Sequence, residues 1–108
     1  MRYTLLPIFC LAFSASLQAQ TMVTAPITMV RTGWNDESFA VVLSGPIANP
    51  ANCGTKDGYI TNGSLPGYKT YYAAVLTAYA TQQPVMVVVH NTECFGGRPK
   101  LIGVNLPR

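Results

Sequence analysis

One stretch, residues 68–94, constrains the fold more than any other part of the chain. Side chains that share one face of a 3.6-residue period are Tyr68, Tyr72, Val75, Leu76 and Tyr79. Pro66 and Gly67 mark the entry to this pattern. It stops before Pro84, because the residue preceding a proline is disfavoured in the α conformation. The sequence therefore predicts a helix that begins at Tyr68 and ends at Gln82, with those five side chains buried.

The second half of the same stretch is an apolar run that leads to a cysteine. Residues 85–89 are valines apart from Met86, and β-branched residues favour strands. A continuous apolar run is typical of a strand buried on both faces. We therefore expect a core strand directly after the helix, with Cys94 a few residues beyond it.

The opposite face of the predicted helix has an unusual composition. It is small and uncharged, and consists of Thr70, Ala73, Ala74, Thr77 and Thr81. One interpretation is a solvated face with few charges. The other is a face packed on a neighbouring subunit, which predicts a homo-oligomer formed through the helix from Tyr68 to Gln82.

The N-terminus has the pattern of a secretory signal peptide. Arg2 precedes a short apolar core, and Ala19 fits the last position before cleavage. The apolar core is too short for a membrane span, and no later segment is long enough for one. We therefore expect an exported protein, periplasmic or secreted. Removal of residues 1–19 from the 108-residue chain would leave a single domain over residues 20–108.

Charge and cysteine content narrow the possible partners. Loss of Arg2 lowers the formal net charge from +3 to +2, and the remaining basic residues are scattered, which disfavours nucleic-acid binding. Cys53 and Cys94 remain after cleavage, and an even count in an exported chain predicts a disulfide. The alternative is a metal site with His90, but it needs more ligands than the sequence offers. No metal and no cofactor are predicted.

The remaining apolar runs complete the predicted order of elements. Strands are predicted over residues 26–32, 39–44, 58–61, 85–89 and 101–106, with residues 20–25 as a loose terminus. The connections are a turn at 33–38, a long loop at 45–58 that holds Cys53, and a loop at 92–100. Three strands, a helix and two strands form the order of the OB-fold. The predicted fold is mainly β (β+α): a five-stranded, OB-like Greek-key barrel with one helix between strands three and four.

Several short motifs carry a family resemblance. They are the run at 71–79, the join Gln83-Pro84-Val85, the loop motif Asn49-Pro50-Ala51-Asn52-Cys53, and Asp57-Gly58-Tyr59. With Cys94 and a last strand, they resemble small exported bacterial domains that are similar to the B subunits of pentameric bacterial toxins. The resemblance implies a ring of five subunits, helices lining its centre and sugar binding on the outside. No sugar-site motif of that group can be matched residue by residue.

Catalytic residues are sparse in this sequence. The chain has one histidine, His90, and four acidic residues, and it has no nucleophile elbow, phosphate loop or metal-binding helix motif. His90 is interpreted as a rim residue satisfied by backbone or water. The sequence thus predicts that the protein is not an enzyme.

Binding residues are expected in the loops that join strands one and two and strands four and five, as in other OB-folds. The candidates are Trp34, Asn35 and Asp36 in the first loop and Arg98 in the second. Trp34 would stack on a sugar face, or it would instead cap the barrel core. Arg98 would bind an acidic ligand, or it would instead be solvated. The first hypothesis is an exported, non-enzymatic binding module that forms a ring and binds a glycan or a cell-surface partner. The alternative is a monomeric periplasmic protein that binds or inhibits another protein.

Overall fold

The protein is a mixed sheet of short strands with one helix. The computed structural model describes residues 20–32 and 36–108. Its elements are β1 (Gln20–Ala25), β2 (Ile27–Thr32), β3 (Phe39–Leu43), β4 (Tyr59–Thr61), α1 (Tyr68–Thr81), β5 (Val85–Phe95) and β6 (Arg98–Asn105). The strands lie in the order β1-β5-β6-β4-β3-β2, and only the β4–β6 pair is parallel. The predicted signal peptide over residues 1–19 lies outside the described residues.

The first strand differs from the prediction. Residues 20–25 were expected to be a loose terminus, but they form β1, which pairs with β5 from Gln20 opposite His90 to Ala25 opposite Val85. The described residues therefore contain six separate strands where five were predicted, and β1 is the additional one. Threonines interrupt the apolar residues of this strand, so the sequence shows no apolar run. In the structure, the side chains alternate between exposed and half-buried with period two. The mainly β composition with one helix is confirmed.

The two outermost strands of the sheet are consecutive in the chain. β1 ends at Ala25 and β2 begins at Ile27, so only Pro26 separates them. Proline has no N–H to donate to a neighbouring strand, which interrupts the ladder at this point. The carbonyl of Pro26 still accepts a hydrogen bond from the Ser44 amide at 3.0 Å. The first predicted strand, 26–32, therefore corresponds to β2 alone.

The core lies between the sheet and the helix. Its fully enclosed members include Phe39, Val41, Val75, Val85, Val87, Val89 and Leu101. The predicted core strand at 85–89 is confirmed, because its odd-numbered valines have no exposed surface and Val88 is 8% exposed. Full burial of one such side chain stabilises the fold by about 1.5–3 kcal/mol.

The helix is rotated relative to the predicted orientation. Val75 and Ala78 are fully buried, but Leu76 and Tyr79, which were predicted to be buried, are 40% and 46% exposed. The helix carries apolar residues on most sides, so two stripes of helical spacing compete. The small Ala78 lets the helix backbone approach the core, which favours the observed stripe. The helix ends at Thr81, one residue before the predicted end, because Gln82 adopts a left-handed conformation.

The last two strands form a longer hairpin than predicted. A loop was expected at 92–100, but β5 continues to Phe95 and β6 begins at Arg98. Gly96 and Gly97 have φ of 57° and 76°, and a two-residue hairpin turn with positive φ at both positions favours glycine. Between Val89 and Cys94, four residues of β5 stand opposite Lys100 alone. Residues 90–93 therefore form a bulge in the hairpin.

Candidate functional site

The long loop over residues 45–58 is the largest part of the described chain that lacks helix and strand, and its first half is packed on the core. The Ala48 amide donates to the Tyr59 hydroxyl at 2.8 Å. The Asn49 side chain donates to the Cys53 carbonyl at 2.9 Å and accepts from the Cys53 amide at 2.8 Å. Burial raises the pKa of the Tyr59 hydroxyl. These bonds give an irregular segment a defined shape.

The second half of the loop is tied to the tip of the β5–β6 hairpin. The predicted disulfide is confirmed: Cys53 is bonded to Cys94, with their Cα atoms 5.8 Å apart. The Thr55 amide donates to the Gly97 carbonyl at 2.9 Å. Because one covalent bond and one backbone hydrogen bond join the same two segments, the hairpin tip sets the position of the residues that follow Thr55.

Asp57, near the end of this loop, is shared by two guanidinium groups. Arg98 donates from Nε to Asp57 Oδ1 at 2.5 Å and from Nη2 to Oδ2 at 3.2 Å. Arg31 Nη2 donates to the Asp57 carbonyl at 2.7 Å and lies 3.4 Å from Oδ1. The hydrogen bond from Arg98, followed by the contact with Arg31, lowers the pKa of Asp57 to about 2. Two positive charges therefore share one carboxylate.

A cleft opens beside this ion-pair group, and we call it the Arg31 cleft. It has a volume of about 360 Å³. Its apolar wall includes Met29, Val42, Leu43 and Ile47. Its charged end is formed by Arg31, Lys56 and Asp57. Strand β2, strand β3 and the disulfide-tied loop thus each contribute side chains to one concavity.

Gly58 has no side chain, which allows the Arg31 guanidinium to lie close to the backbone at the charged end of the cleft. A Cβ atom at this position would lie 3.2 Å from Arg31 Nη2 and 3.3 Å from the Val41 carbonyl oxygen. The Val41 carbonyl belongs to a buried strand, so it has little freedom to move away. A side chain at residue 58 would therefore displace the Arg31 guanidinium.

The residues predicted to bind ligand are distributed differently. Trp34 and Asn35 lie outside the described residues. Asp36 is exposed and accepts a hydrogen bond from the Ser38 amide at 2.9 Å, and hydrogen bonding to Ser38 lowers its pKa. Arg98 is engaged by Asp57, and no hydrogen bond or ion pair joins it to Asp36.

The Arg31 cleft was not predicted from the sequence. Asp57-Gly58 was noticed only as part of a family resemblance, and Arg31 only as one of several scattered basic residues. One signal was present: Lys56 and Asp57 lie three and four residues after Cys53 and precede a glycine, at the boundary between an irregular segment and a strand. The partner contributed by β2 is 26 residues away from Asp57 in the chain, and no local pattern connects the two.

His90, the one histidine of the sequence, lies in β5 and is hydrogen-bonded to the backbone. His90 Nδ1 accepts hydrogen bonds from the backbone amides of Thr92 and Glu93, both at 3.1 Å. These bonds close the bulge of β5, and Glu93 Oε1 accepts from Lys100 Nζ across it at 2.8 Å. Hydrogen bonding to Lys100 lowers the pKa of Glu93. Over residues 20–32 and 36–108, no group of three or more histidine, cysteine, aspartate or glutamate residues is arranged to hold a metal ion.

Two further findings bear on identity. In the part of the chain that the structure describes, no helix combines the length and the apolar character needed to cross a membrane. Comparison with protein-family models, curated proteins and solved structures found no match to this chain. The resemblance to exported domains similar to toxin B subunits therefore remains a prediction.

Proposed function

We propose that this protein is an exported, non-enzymatic binding module that holds its ligand in the Arg31 cleft. The observation that carries the proposal is the cleft itself, which combines an apolar wall with a few convergent polar groups, as small-molecule sites do. Its position on a disulfide-tied loop suits a protein that works outside the reducing cytosol. A glycan or another cell-surface molecule is the ligand that the family resemblance implies.

An OB-like barrel is the arrangement of the sheet that we propose. Three observations support it. The helix lies between β4 and β5, the β4–β6 pair is parallel, and the two outermost strands are joined through Pro26 alone. β1 and β2 lie at the two ends of the strand order. If they act as one strand bent at Pro26, the sheet closes into a five-stranded barrel without edge strands.

Assembly through the helix is the second part of the proposal. The exposed face of α1 includes Thr70, Ala73, Leu76, Thr77 and Ala80, and Lys69 is the one charged residue of the helix. Partly exposed leucine and tyrosine beside small uncharged side chains are favourable at a subunit interface. We propose that this face packs on neighbouring copies in a ring.

Native mass spectrometry of the oxidised protein tests the assembly. We expect a complex of about five subunits, and Thr77→Glu on the exposed helix face should convert it to monomers. Thr32→Glu, on the exposed end of β2, is the matched control and should leave the number of subunits in the complex unchanged. A monomer for the unmodified chain would overturn the ring.

A glycan array tests the ligand separately from the assembly. Binding that is lost in Met29→Gln, at the apolar wall of the cleft, and kept in Thr32→Glu would support the proposed site. Glycan binding that Met29→Gln leaves unchanged would remove the cleft from the proposal.

A monomeric protein that binds or inhibits another protein is the second candidate. It is favoured by the tied loop, in which Pro50, Asn52, Gly54, Thr55 and Lys56 are all exposed. A preformed, cross-linked loop loses little conformational entropy when a partner binds it. Capture of one periplasmic protein by the oxidised chain, abolished by Asn52→Arg, would support this function over the first.

A further inference from the structure

We infer that the Arg31 cleft takes an anionic group carried on a short apolar body. This inference rests on the proposed function, because it requires that the cleft be a ligand site. It goes further by naming the chemical class of the ligand from the charges and the shape of the cleft.

The charge balance of the cleft is the first argument. Its charged lining consists of two cations, Arg31 and Lys56, and one carboxylate, Asp57. That carboxylate is also bound in bidentate fashion by Arg98 from outside the cleft. Lys56 is exposed and forms no ion pair within residues 20–32 and 36–108. The three basic groups and one acidic group leave an excess of positive charge, which favours an anion and disfavours a cation.

The fixed position of the charged end is the second argument. Arg31 is bonded to the Asp57 carbonyl and packed against Gly58, so its guanidinium is held in place before a ligand arrives. Asp57 is held by Arg98, and the Thr55–Gly97 bond to the hairpin fixes the backbone that leads to Lys56. Preorganised charges bind an anion with a smaller loss of conformational entropy than mobile surface side chains do.

The apolar wall and the volume are the third argument. Met29 is 47% exposed, which is high for a large apolar side chain, and it lies beside Val42, Leu43 and Ile47. Covering this wall with an apolar group removes hydrocarbon surface from water. A volume of about 360 Å³ lies near the lower limit for ligand pockets. The cleft therefore suits a small ligand or the terminal group of a larger one.

Matched amphiphiles provide a direct test on the oxidised protein. Binding of hexanoate, hexyl phosphate and 1-hexanol would be followed by shifts of the backbone amide resonances of Lys56, Asp57 and Gly58 in NMR spectra. We expect both anions to bind at least about fivefold more tightly than hexanol, because one well-placed charge contact contributes roughly a factor of five. Inorganic phosphate, which has no apolar body, should bind more weakly than hexyl phosphate.

Variants separate the charged end from the apolar wall. Lys56→Gln should weaken both anionic amphiphiles by about fivefold and leave hexanol unchanged. The matched control is Lys69→Gln, which removes an exposed lysine on the helix and should change nothing. Met29→Gln should weaken all three amphiphiles.

The possible outcomes discriminate between the inference and the proposed function. Equal binding of hexanol and hexanoate, insensitive to Lys56→Gln, would overturn the anionic class and leave the cleft as a ligand site. Inorganic phosphate that binds as tightly as hexyl phosphate would overturn the apolar body and indicate an adventitious ion only. No shift with any of these compounds would overturn the inference, whereas the glycan array with Met29→Gln decides separately whether the cleft is a ligand site.

Discussion

The valine strand of β5 and the loop over residues 45–58 are held in place in two different ways. The strand is fixed by burial: Val85, Val87 and Val89 have no exposed surface and belong to one cluster with seven other buried side chains. The loop has few buried side chains and depends on a small set of specific bonds, namely the Cys53–Cys94 disulfide, the Asn49 hydrogen bonds and the Asp57 ion pairs. Burial spreads stabilisation over many contacts, whereas the loop concentrates it in a few.

The two regions should therefore respond differently to substitutions. Loss of one methyl group in the core leaves a cavity that the surrounding atoms partly fill. Loss of one bond in the loop removes a large share of what fixes its shape. The cleft is formed between the two regions, so its floor should persist when its charged end is released.

The largest effect is expected from loss of the disulfide. Cys53 and Cys94 are 41 residues apart, and for such a loop the chain-entropy model gives a stabilisation of about 4 kcal/mol. Cys53→Ser combined with Cys94→Ser should lower the free energy of unfolding by about this amount in urea denaturation. The oxidised and reduced unmodified chain is the control. If reduction left the midpoint unchanged, the loop would be held without its covalent tie.

A core substitution should come next in size. Leu101→Ala removes a fully buried side chain of β6 and should lower the free energy of unfolding by about 3 kcal/mol, the middle of the range for such cavities. Leu106→Ala is the matched control, because Leu106 is 39% exposed, and its effect should be well below 1 kcal/mol. Chemical denaturation measures both. Equal effects would contradict the assignment of Leu101 to the core.

Removal of the Asn49 side chain sharpens the comparison, since it breaks two loop hydrogen bonds without opening a core cavity. Asn49→Ala leaves the Cys53 amide and carbonyl without these partners and should lower the free energy of unfolding by about 1–2 kcal/mol. Asn52→Gly is the control, because Asn52 has φ of 55°, a conformation that glycine adopts readily. Hydrogen exchange of the loop amides should increase in the first variant only.

Acid should have the smallest effect and should act on the charged end of the cleft. The pKa of Asp57 in the folded chain is about 2, below its ordinary value of 3.8, so the ion pairs stabilise the fold above about pH 4. This contribution is lost as the pH falls from about 4 through 2. Thermal unfolding between pH 2 and 5 should therefore depend less on pH in Asp57→Asn than in the unmodified chain. Parallel pH profiles for the two would contradict the shared ion pair.

Parts of the fold that are encoded locally were predicted well. The helix start after Gly67 and the core strand after Pro84 follow from neighbouring residues, and the Cys53–Cys94 disulfide follows from the cysteine count outside residues 1–19. Parts that depend on distant contacts were predicted less well. β1 is defined by its pairing with β5, and the orientation of the helix is defined by the burial of Ala78 in the core. Neither contact could be predicted from neighbouring residues.

The residues of the candidate site also differ in how far the sequence predicted them. Arg98 was singled out from the sequence, either as a residue for an acidic ligand or as a solvated side chain, and the structure shows its guanidinium bound to Asp57. Trp34 and Asn35 remain predictions, because they lie outside the described residues. Arg31 and Met29 carried no local signal that would set them apart from other surface residues, and Lys56 carried only its place before Asp57 and Gly58.

The sequence alone therefore determined the helix, the core strand after it and the disulfide, because helix periodicity, β-branched runs, proline and paired cysteines act over a few residues or by simple exclusion. Tertiary structure alone decided where the cleft lies and what charge it carries. Arg31, Asp57 and Arg98 come from three separate segments, and their attraction depends on distances that only the folded chain sets. A carboxylate shared by two guanidinium groups exists only in the folded chain, because the three residues are far apart in the sequence.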